Sequence, residues 1–91
     1  MPEATVTLRN PTGLHARPAK VFARAAAATS AEVVVGKDDR EVNGKSVLSV
    51  LTLDCHQGDA ITIRTSGQGA EEALADLVRL VESGLGEGDQ G

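Results

Sequence analysis

The spacing of apolar residues changes several times along this chain of 91 residues, and each change marks the boundary of a short structural element. Alternation with a period of two predicts strands over residues 4–8 and 60–65. Residues 36–39 are turn-forming and join two further strand-like segments, 32–35 and 40–42. These two segments are typical of a hairpin.

Helical spacing appears in the segments between these strands. Pro18 suits the first turn of a helix, so we expect one helix to begin near Ala16. Its apolar face comprises Ala19, Phe22, Ala23 and Ala26, and its basic face comprises Arg17, Lys20 and Arg24. A second helix is predicted over residues 70–81, with acidic residues in its first turn. Ser46 as an N-cap favours a short helix over residues 47–53, although the β-branched content of that run would also suit a strand.

The element order is therefore β, α, β, β, α, β, α, which short connections can satisfy with one antiparallel sheet covered on one face by helices. This is an α+β fold class. A chain this short cannot divide its apolar side chains between two cores. We expect a single domain over residues 1–85 and a flexible, glycine-rich tail over residues 86–91.

Composition excludes several classes of function. The chain has one Phe, no Trp or Tyr, and a formal net charge of −4, which disfavours nucleic-acid binding. Cys55 is the only cysteine, so an internal disulfide cannot form. No basic and apolar leader and no apolar run of roughly 18 residues is present, so we expect a cytoplasmic protein without membrane insertion.

His15 is the main candidate functional residue. It lies at the N-terminus of the first predicted helix, two residues before Arg17. A helix N-terminus presents unpaired N–H groups and a partial positive charge, which stabilise an anion. The same field disfavours imidazolium and leaves a ring nitrogen free to attack phosphorus. The planar, permanently charged guanidinium group of Arg17 can bind phosphoryl oxygens. A lone His beside an Arg is more often a plain loop residue, so spacing alone does not decide its role.

The segment Thr12-Gly13-Leu14-His15-Ala16-Arg17-Pro18-Ala19 resembles the active-site motif of the HPr family, the phosphocarriers of the phosphoenolpyruvate-dependent sugar phosphotransferase system. Residues 43–50 are similar to the family's regulatory serine segment, and residues 58–63 to its last strand. The resemblance implies an open-faced β-sandwich with sheet order 1-4-2-3 and three helices on one face. It also implies that enzyme I phosphorylates His15 at Nδ1 and that His15 donates to IIA components of sugar permeases. The chain would then be a carrier rather than an enzyme, and a monomer.

Ser46 has an ordinary role as a helix N-cap, worth about 1 kcal/mol. In HPr-like proteins of some bacteria the matching serine is phosphorylated, so the resemblance adds a serine kinase/phosphorylase and a transcriptional regulator to the partners considered. The resemblance also places Val47, Leu48 and Leu51 in an apolar docking patch. Some of these three residues must also belong to the hydrophobic core. Lys20 and Arg24 lie on a helix face that solvent would ordinarily cover. Beside a transfer site, we expect them to attract acidic partner surfaces and to steer their association.

Alternative functions follow from the same residues. Cys55 and His56 could suggest a metal site with His15, but adjacent side chains point differently and zinc-like spacing is missing, so we expect no metal and no cofactor. Residues 54–57 depart from the family pattern. A non-catalytic regulator switched at Ser46 and a small-ligand-binding domain remain open alternatives. An ATP-binding glycine loop is missing, so the chain would depend on a phosphoryl donor.

Overall fold

The computed structural model describes residues 2–85, and the predicted flexible tail over residues 86–91 lies outside this range. The elements in chain order are β1 (Glu3–Thr7), α1 (Ala16–Ala27), β2 (Glu32–Lys37), β3 (Arg40–Asn43), α2 (Val47–Leu51), β4 (Ala60–Ser66) and α3 (Ala70–Glu82). The order of elements predicted from the sequence is confirmed.

Two boundaries, the ends of α2 and β2, differ from the sequence prediction by two residues, and the other differences are of one residue. The segment after Ser46 is a helix, but α2 ends at Leu51 because the following residues switch to bonds three residues back, such as Leu53 N–H to Val50 O at 3.1 Å. The hairpin turn is also shorter than predicted, since β2 extends to Lys37. Asp38 adopts a positive φ of 57°, which aspartate tolerates, so the turn needs no glycine.

The sheet has the order β1-β4-β2-β3, and every neighbouring pair is antiparallel. β4 is therefore central, although it is the last strand in the chain. Val6 of β1 lies opposite Ile61 of β4, and Val35 of β2 lies opposite Ile63. This register aligns the apolar positions of three strands on the same face of the sheet. The sheet order implied by the family resemblance is confirmed.

The core lies between that face and the helices. Ile61, Ile63 and Val35 from the sheet belong to one buried cluster with Phe22 of α1 and Leu77 of α3. Burial of such side chains contributes about 1.5–3 kcal/mol each, which is the main stabilisation available to a chain with so few aromatic residues. The helices thus cover one face of the sheet.

The opposite face of the sheet is open to solvent and polar. The Thr5 and Thr62 hydroxyl oxygens lie 3.1 Å apart across β1 and β4. Arg64 forms ion pairs with Glu3 at 3.2 Å and with Glu41 at 3.0 Å. Among residues 2–85, no helix is both long enough and apolar enough to cross a membrane.

Candidate functional site

His15 is the N-cap residue of α1. Its backbone is extended, with φ −104° and ψ 160°, and its side chain accepts no hydrogen bond from the helix. The first turn of α1 contains no acidic side chain. The positive end of the helix dipole is therefore not neutralised from within the turn, and an anion carried on the imidazole of His15 would be stabilised by it.

Backbone strain lies directly beside His15. Ala16 has a positive φ of 28°, a region that residues with a Cβ rarely adopt. Such a conformation costs about 1–3 kcal/mol and persists only where the surrounding structure imposes it. The strain is therefore located between the two residues expected to handle the phosphoryl group, His15 and Arg17.

The loop before His15 is held by buried hydrogen bonds. Asn10 is fully buried, and its Nδ2 donates to the carbonyl oxygen of Gly13 at 2.6 Å. Gly13 N–H donates back to the carbonyl of Asn10 at 3.2 Å. Leu14 is buried in the core, which anchors the residue immediately before His15. The position of the histidine thus depends on packing as well as on the helix start.

A second loop, residues 52–59, is bonded to the first. Leu14 N–H donates to the carbonyl of Cys55 at 3.1 Å, and Gly58 N–H donates to the carbonyl of Leu8 at 2.8 Å. Gly13 approaches the same loop so closely that a Cβ would lie 2.5 Å from the carbonyl oxygen of Cys55. These contacts bring residues 54–56 to the side of His15.

Three polar side chains meet there: His15, Asp54 and His56, which we call the His–Asp–His cluster. Asp54 Oδ1 lies 3.8 Å from His15 Nε2 and 3.4 Å from His56 Nε2. The two imidazole rings have centroids 5.0 Å apart and planes tilted by 33°. The side chain of His15 is 45% exposed, and those of Asp54 and His56 are more exposed. All three can therefore reach a ligand in solution.

Three residues beside the cluster, Asp59, Lys37 and Cys55, differ in their surroundings. His56 N–H donates to Asp59 Oδ2 at 2.8 Å and Lys37 Nζ lies 3.1 Å from the same oxygen; together these lower the pKa of Asp59. The hydrogen bond to Asp59 in turn raises the pKa of Lys37. Cys55 is fully buried, and burial raises the pKa of its thiol. The cysteine therefore belongs to the core and does not face the cluster.

The basic face of α1 is exposed as predicted: Arg17, Lys20 and Arg24 point to solvent, and the apolar face is buried. Within residues 2–85, none of these three cations lies within ion-pair distance of a carboxylate. Arg79 differs, since it pairs with Asp76 at 2.6 Å. The basic face thus has unneutralised charge available to an acidic partner.

The structure separates the roles of the residues in α2. Val50 is fully buried, whereas Leu48 is 78% exposed and is the most exposed large apolar side chain among the described residues. Val47 and Leu51 are partly exposed, and Leu51 packs on the core. α2 also packs against α1. An exposed apolar residue therefore lies on a helix that adjoins the helix of His15.

Ser46 caps α2 as the sequence indicates, because its Oγ accepts a hydrogen bond from Ser49 N–H at 3.2 Å. We expect Ser46→Ala to lower the free energy of unfolding by about 1 kcal/mol, since it leaves that N–H unsatisfied. Urea denaturation followed by circular dichroism measures the change. Ser49→Ala is the matched control, because the Ser49 hydroxyl caps nothing in residues 2–85. Equal stability of the two variants would contradict the capping role.

Sequence reasoning missed part of this arrangement. It placed His15, Arg17 and Ser46 at helix starts, and the structure agrees. It did not identify Asp54. It considered Cys55 and His56 with His15 as a metal site and rejected that site, whereas the structure brings His56 beside His15 and buries Cys55. The departure of residues 54–57 from the family pattern was a further signal. Their proximity to His15 depends on the hydrogen bond from Leu14 to Cys55, which no local pattern reveals.

Neither of the open depressions described among residues 2–85 includes His15. The larger, of about 540 Å³, lies at the β2–β3 edge and is lined by Val33, Glu41 and Lys45 among others. The second lies at the start of α3. The alternative of a small-ligand-binding domain therefore gains no support around the histidine.

Comparison with known proteins identifies the family. The family model for the PTS HPr component phosphorylation site matches residues 2–83. The chain belongs to the HPr family. It is 44% identical over 88 residues to the phosphocarrier protein HPr of Streptomyces coelicolor, covering 96% of this chain and 95% of that protein.

Further relatives extend the HPr similarity to the three-dimensional structure and to a related branch. The crystal structure of HPr from Thermoanaerobacter tengcongensis superposes with a TM-score of 0.92 at 41% identity, covering 96% of this chain and 98% of that one. The HPr-like protein Crh of Halalkalibacterium halodurans is 35% identical over 82 residues, covering 90% of this chain and 98% of that protein. The chain is therefore an HPr-type phosphocarrier of the phosphotransferase system.

Proposed function

We propose that His15 accepts a phosphoryl group from enzyme I and donates it to IIA components of sugar permeases, in the cytoplasm and as a monomer. The observation that carries this proposal is the position of the imidazole. It is half-exposed at the N-cap of α1, with no acidic side chain in the first turn, and within residues 2–85 the cation of Arg17 has no carboxylate at ion-pair distance. A phosphoryl acceptor needs access, a positive field and a neutral ring nitrogen, and this position supplies the first two directly.

In the proposed transfer, the Nδ1 lone pair of His15 attacks phosphorus. The N–P bond forms as the bond from phosphorus to the donor breaks, and the other ring nitrogen keeps its proton. Arg17 and the exposed N–H groups of the first turn stabilise the charge on the phosphoryl oxygens. Donation to a IIA component reverses these steps with a new acceptor. The histidine returns unchanged, so the chain is a carrier and not an enzyme.

Docking is proposed to combine the basic face of α1 with the apolar surface of α2. Lys20 and Arg24 have no intramolecular carboxylate partner within residues 2–85, so they can pair with acidic groups on enzyme I or IIA. Leu48, with Val47 and Leu51 beside it, offers the apolar centre of the surface. Charge-steered association allows fast binding with modest affinity, as a relay requires.

The acceptor is tested by incubating the protein with enzyme I and phosphoenolpyruvate, then measuring intact mass. We expect one acid-labile phosphoryl group on the wild-type chain and none on His15→Ala. His56 is the only other histidine, so His56→Ala is the matched variant and should retain the adduct. An adduct that persists in His15→Ala, or no adduct on the wild type, would overturn the proposal.

In the same assay we expect Arg17→Ala to slow phosphoryl acceptance roughly tenfold or more, because the charge on the phosphoryl oxygens in the transition state loses one hydrogen-bond donor.

A regulatory role at Ser46 is a second candidate, favoured by the similarity to the HPr-like protein Crh and to the crystal structure of Crh, the catabolite repression protein of Bacillus subtilis. Phosphorylation by a serine kinase would place about −1.5 to −2 charges at the start of α2, beside the docking surface. The added charge would repel an acidic IIA surface and favour a basic one, such as a transcriptional regulator. Acid-stable phosphate on the wild type but not on Ser46→Ala, after treatment with an HPr kinase/phosphorylase, tests this second role.

A further inference from the structure

The His–Asp–His cluster contains two side chains, Asp54 and His56, that the proposed phosphoryl transfer does not use. One ligand atom from each of His15, Asp54 and His56 can be chosen so that all lie within 4.8 Å of one another. Two imidazole nitrogens and one carboxylate oxygen are ligands preferred by Zn²⁺ and neighbouring divalent transition metals. The cluster therefore has the donor chemistry of a metal site.

Two of the three distances between ligand atoms in the cluster are close to those that a metal requires. Ligand atoms bound tetrahedrally at about 2.0–2.1 Å lie about 3.3 Å apart. Asp54 Oδ1 is 3.4 Å from His56 Nε2 and 3.8 Å from His15 Nε2. All three ligand atoms lie within 4.8 Å of one another, so rotations about the χ angles of these exposed side chains must shorten the remaining distance, while hydrogen bonds hold the backbone of both loops. Three protein ligands leave the fourth position to water.

A further carboxylate lies near the other ring nitrogen of His56. Asp59 Oδ2 is 3.9 Å from His56 Nδ1, which is longer than a hydrogen bond, so a small rotation of the ring is needed to form one. Metal-binding histidines commonly direct the second ring nitrogen to a carboxylate, which selects the tautomer with the metal-binding lone pair on the other nitrogen. Asp59 is itself held by the backbone N–H of His56 and by Lys37. His56 Nε2 lies 3.4 Å from Asp54 Oδ1, so a proton on Nδ1 facing Asp59 would leave the lone pair of Nε2 on the side of Asp54.

We propose that His15, Asp54 and His56 bind one divalent transition metal ion, with Zn²⁺ as the representative, and that the bound metal blocks phosphoryl acceptance at His15. The proposal that the cluster binds a metal depends only on the geometry of the cluster, and it replaces the expectation from the sequence that no metal binds. The proposal that the metal blocks phosphoryl acceptance rests on the proposed function. A neutral imidazole has one lone pair, so metal on Nε2 leaves the proton on Nδ1, which then cannot attack phosphorus.

Metal binding is tested by titrating Zn²⁺ into the untagged protein in an isothermal titration calorimeter. We expect one Zn²⁺ per wild-type chain. His56→Ala and His15→Ala should each bind at least about tenfold more weakly, since each loses one of three ligands. Cys55→Ala is the matched control and should bind as the wild type does, because the thiol is buried away from the cluster. Circular dichroism verifies that each variant is folded.

Several results would overturn the site. No binding to the wild type, binding that survives the loss of either histidine, or binding lost in Cys55→Ala each exclude this set of ligands. Chemical-shift changes on adding Zn²⁺, measured by NMR, should centre on residues 15 and 54–56. Changes centred elsewhere would assign the metal to another part of the surface.

The blocking step has its own readout. The rate of phosphoryl acceptance from enzyme I is measured with and without Zn²⁺, and each variant is compared with itself. We expect Zn²⁺ to slow the wild type at least about tenfold and to affect His56→Ala much less; the comparison cancels any action of Zn²⁺ on enzyme I. Equal slowing of both overturns the blocking step. A wild type that accepts no phosphoryl group even without Zn²⁺ contradicts the proposed function instead, and the calorimetric result still decides the metal site.

Discussion

Replacing Gly13 by Ala is expected to lower the free energy of unfolding by about 2–5 kcal/mol. The backbone at Gly13 has a positive φ of 63°, which costs a residue with a Cβ about 1–2 kcal/mol. The added Cβ would lie 2.5 Å from the carbonyl oxygen of Cys55 and 2.6 Å from the Cα of His56. Both neighbours are backbone atoms that cannot rotate away, so the loops must separate, at about 1–3 kcal/mol more. Urea denaturation followed by far-UV circular dichroism measures the loss.

Gly58 provides the matched control for Gly13. It also has a positive φ, of 92°, but a Cβ there would meet no atom within 4 Å. Gly58→Ala therefore carries the conformational cost without the collision, and we expect a loss of about 1–2 kcal/mol. If the two variants lose the same stability, the contact between Gly13 and residues 55–56 does not hold the loops together.

The same substitution should also disturb the site. Separation of the loops would weaken the hydrogen bond from Leu14 N–H to Cys55 O and move His15 away from Asp54 and His56. The proposed metal site would then be lost before the proposed phosphoryl acceptor, since the acceptor depends mainly on the N-terminus of α1. Gly13 is therefore a structural residue with a direct influence on how the cluster is assembled.

Phe22→Ala is expected to be the most destabilising single truncation in the core, with a loss of about 3–5 kcal/mol in the free energy of unfolding. Phe22 is fully buried in α1 and is the largest side chain of the core cluster. The other members of that cluster are smaller side chains, so we expect them to fill the cavity only in part. A domain of this size has a total stability of about 5–15 kcal/mol, so the variant would be near the unfolding threshold. Thermal denaturation should show a fall in Tm of more than about 10 °C.

Leu48→Ala is the control for apolar truncation. Leu48 is 78% exposed on α2, so we expect its loss to change stability by no more than about 0.5 kcal/mol. The same variant should weaken docking to the phosphoryl donor if Leu48 serves the proposed partner surface. A loss of several kcal/mol in Leu48→Ala, or a stable Phe22→Ala, would contradict the division of α1 and α2 into buried and exposed faces.

The proximity of Asp54 to His15 has an electrostatic consequence for the proposed carrier. A carboxylate 3.8 Å from the ring opposes the arrival of a phosphoryl dianion, while the helix N-terminus and Arg17 favour it. Asp54 is largely exposed, so water screens its charge and its side chain can rotate away. At His15, the positive charge supplied by the helix N-terminus and Arg17 belongs to the family motif. The opposing negative charge of Asp54 lies in the segment that departs from the family pattern.

The sequence by itself determined the elements and their faces. Val6 and Ile63 fall on the buried side of their strands because side chains alternate, and Phe22 and Arg17 fall on opposite sides of α1 because of the helical period. The motif around His15 was readable because its residues are consecutive. Ser46 was readable for the same reason, since a cap acts on an N–H only three residues away.

Only the tertiary structure decided what lies beside His15. Asp54 and His56 are about forty residues away along the chain, and their position follows from a hydrogen bond and a close backbone approach between two loops. It likewise decided that Cys55 is buried, that Leu48 is exposed and that Val50 belongs to the core. The physical reason is that local periodicity specifies which face of an element is apolar, whereas contacts between loops depend on how the finished elements pack together.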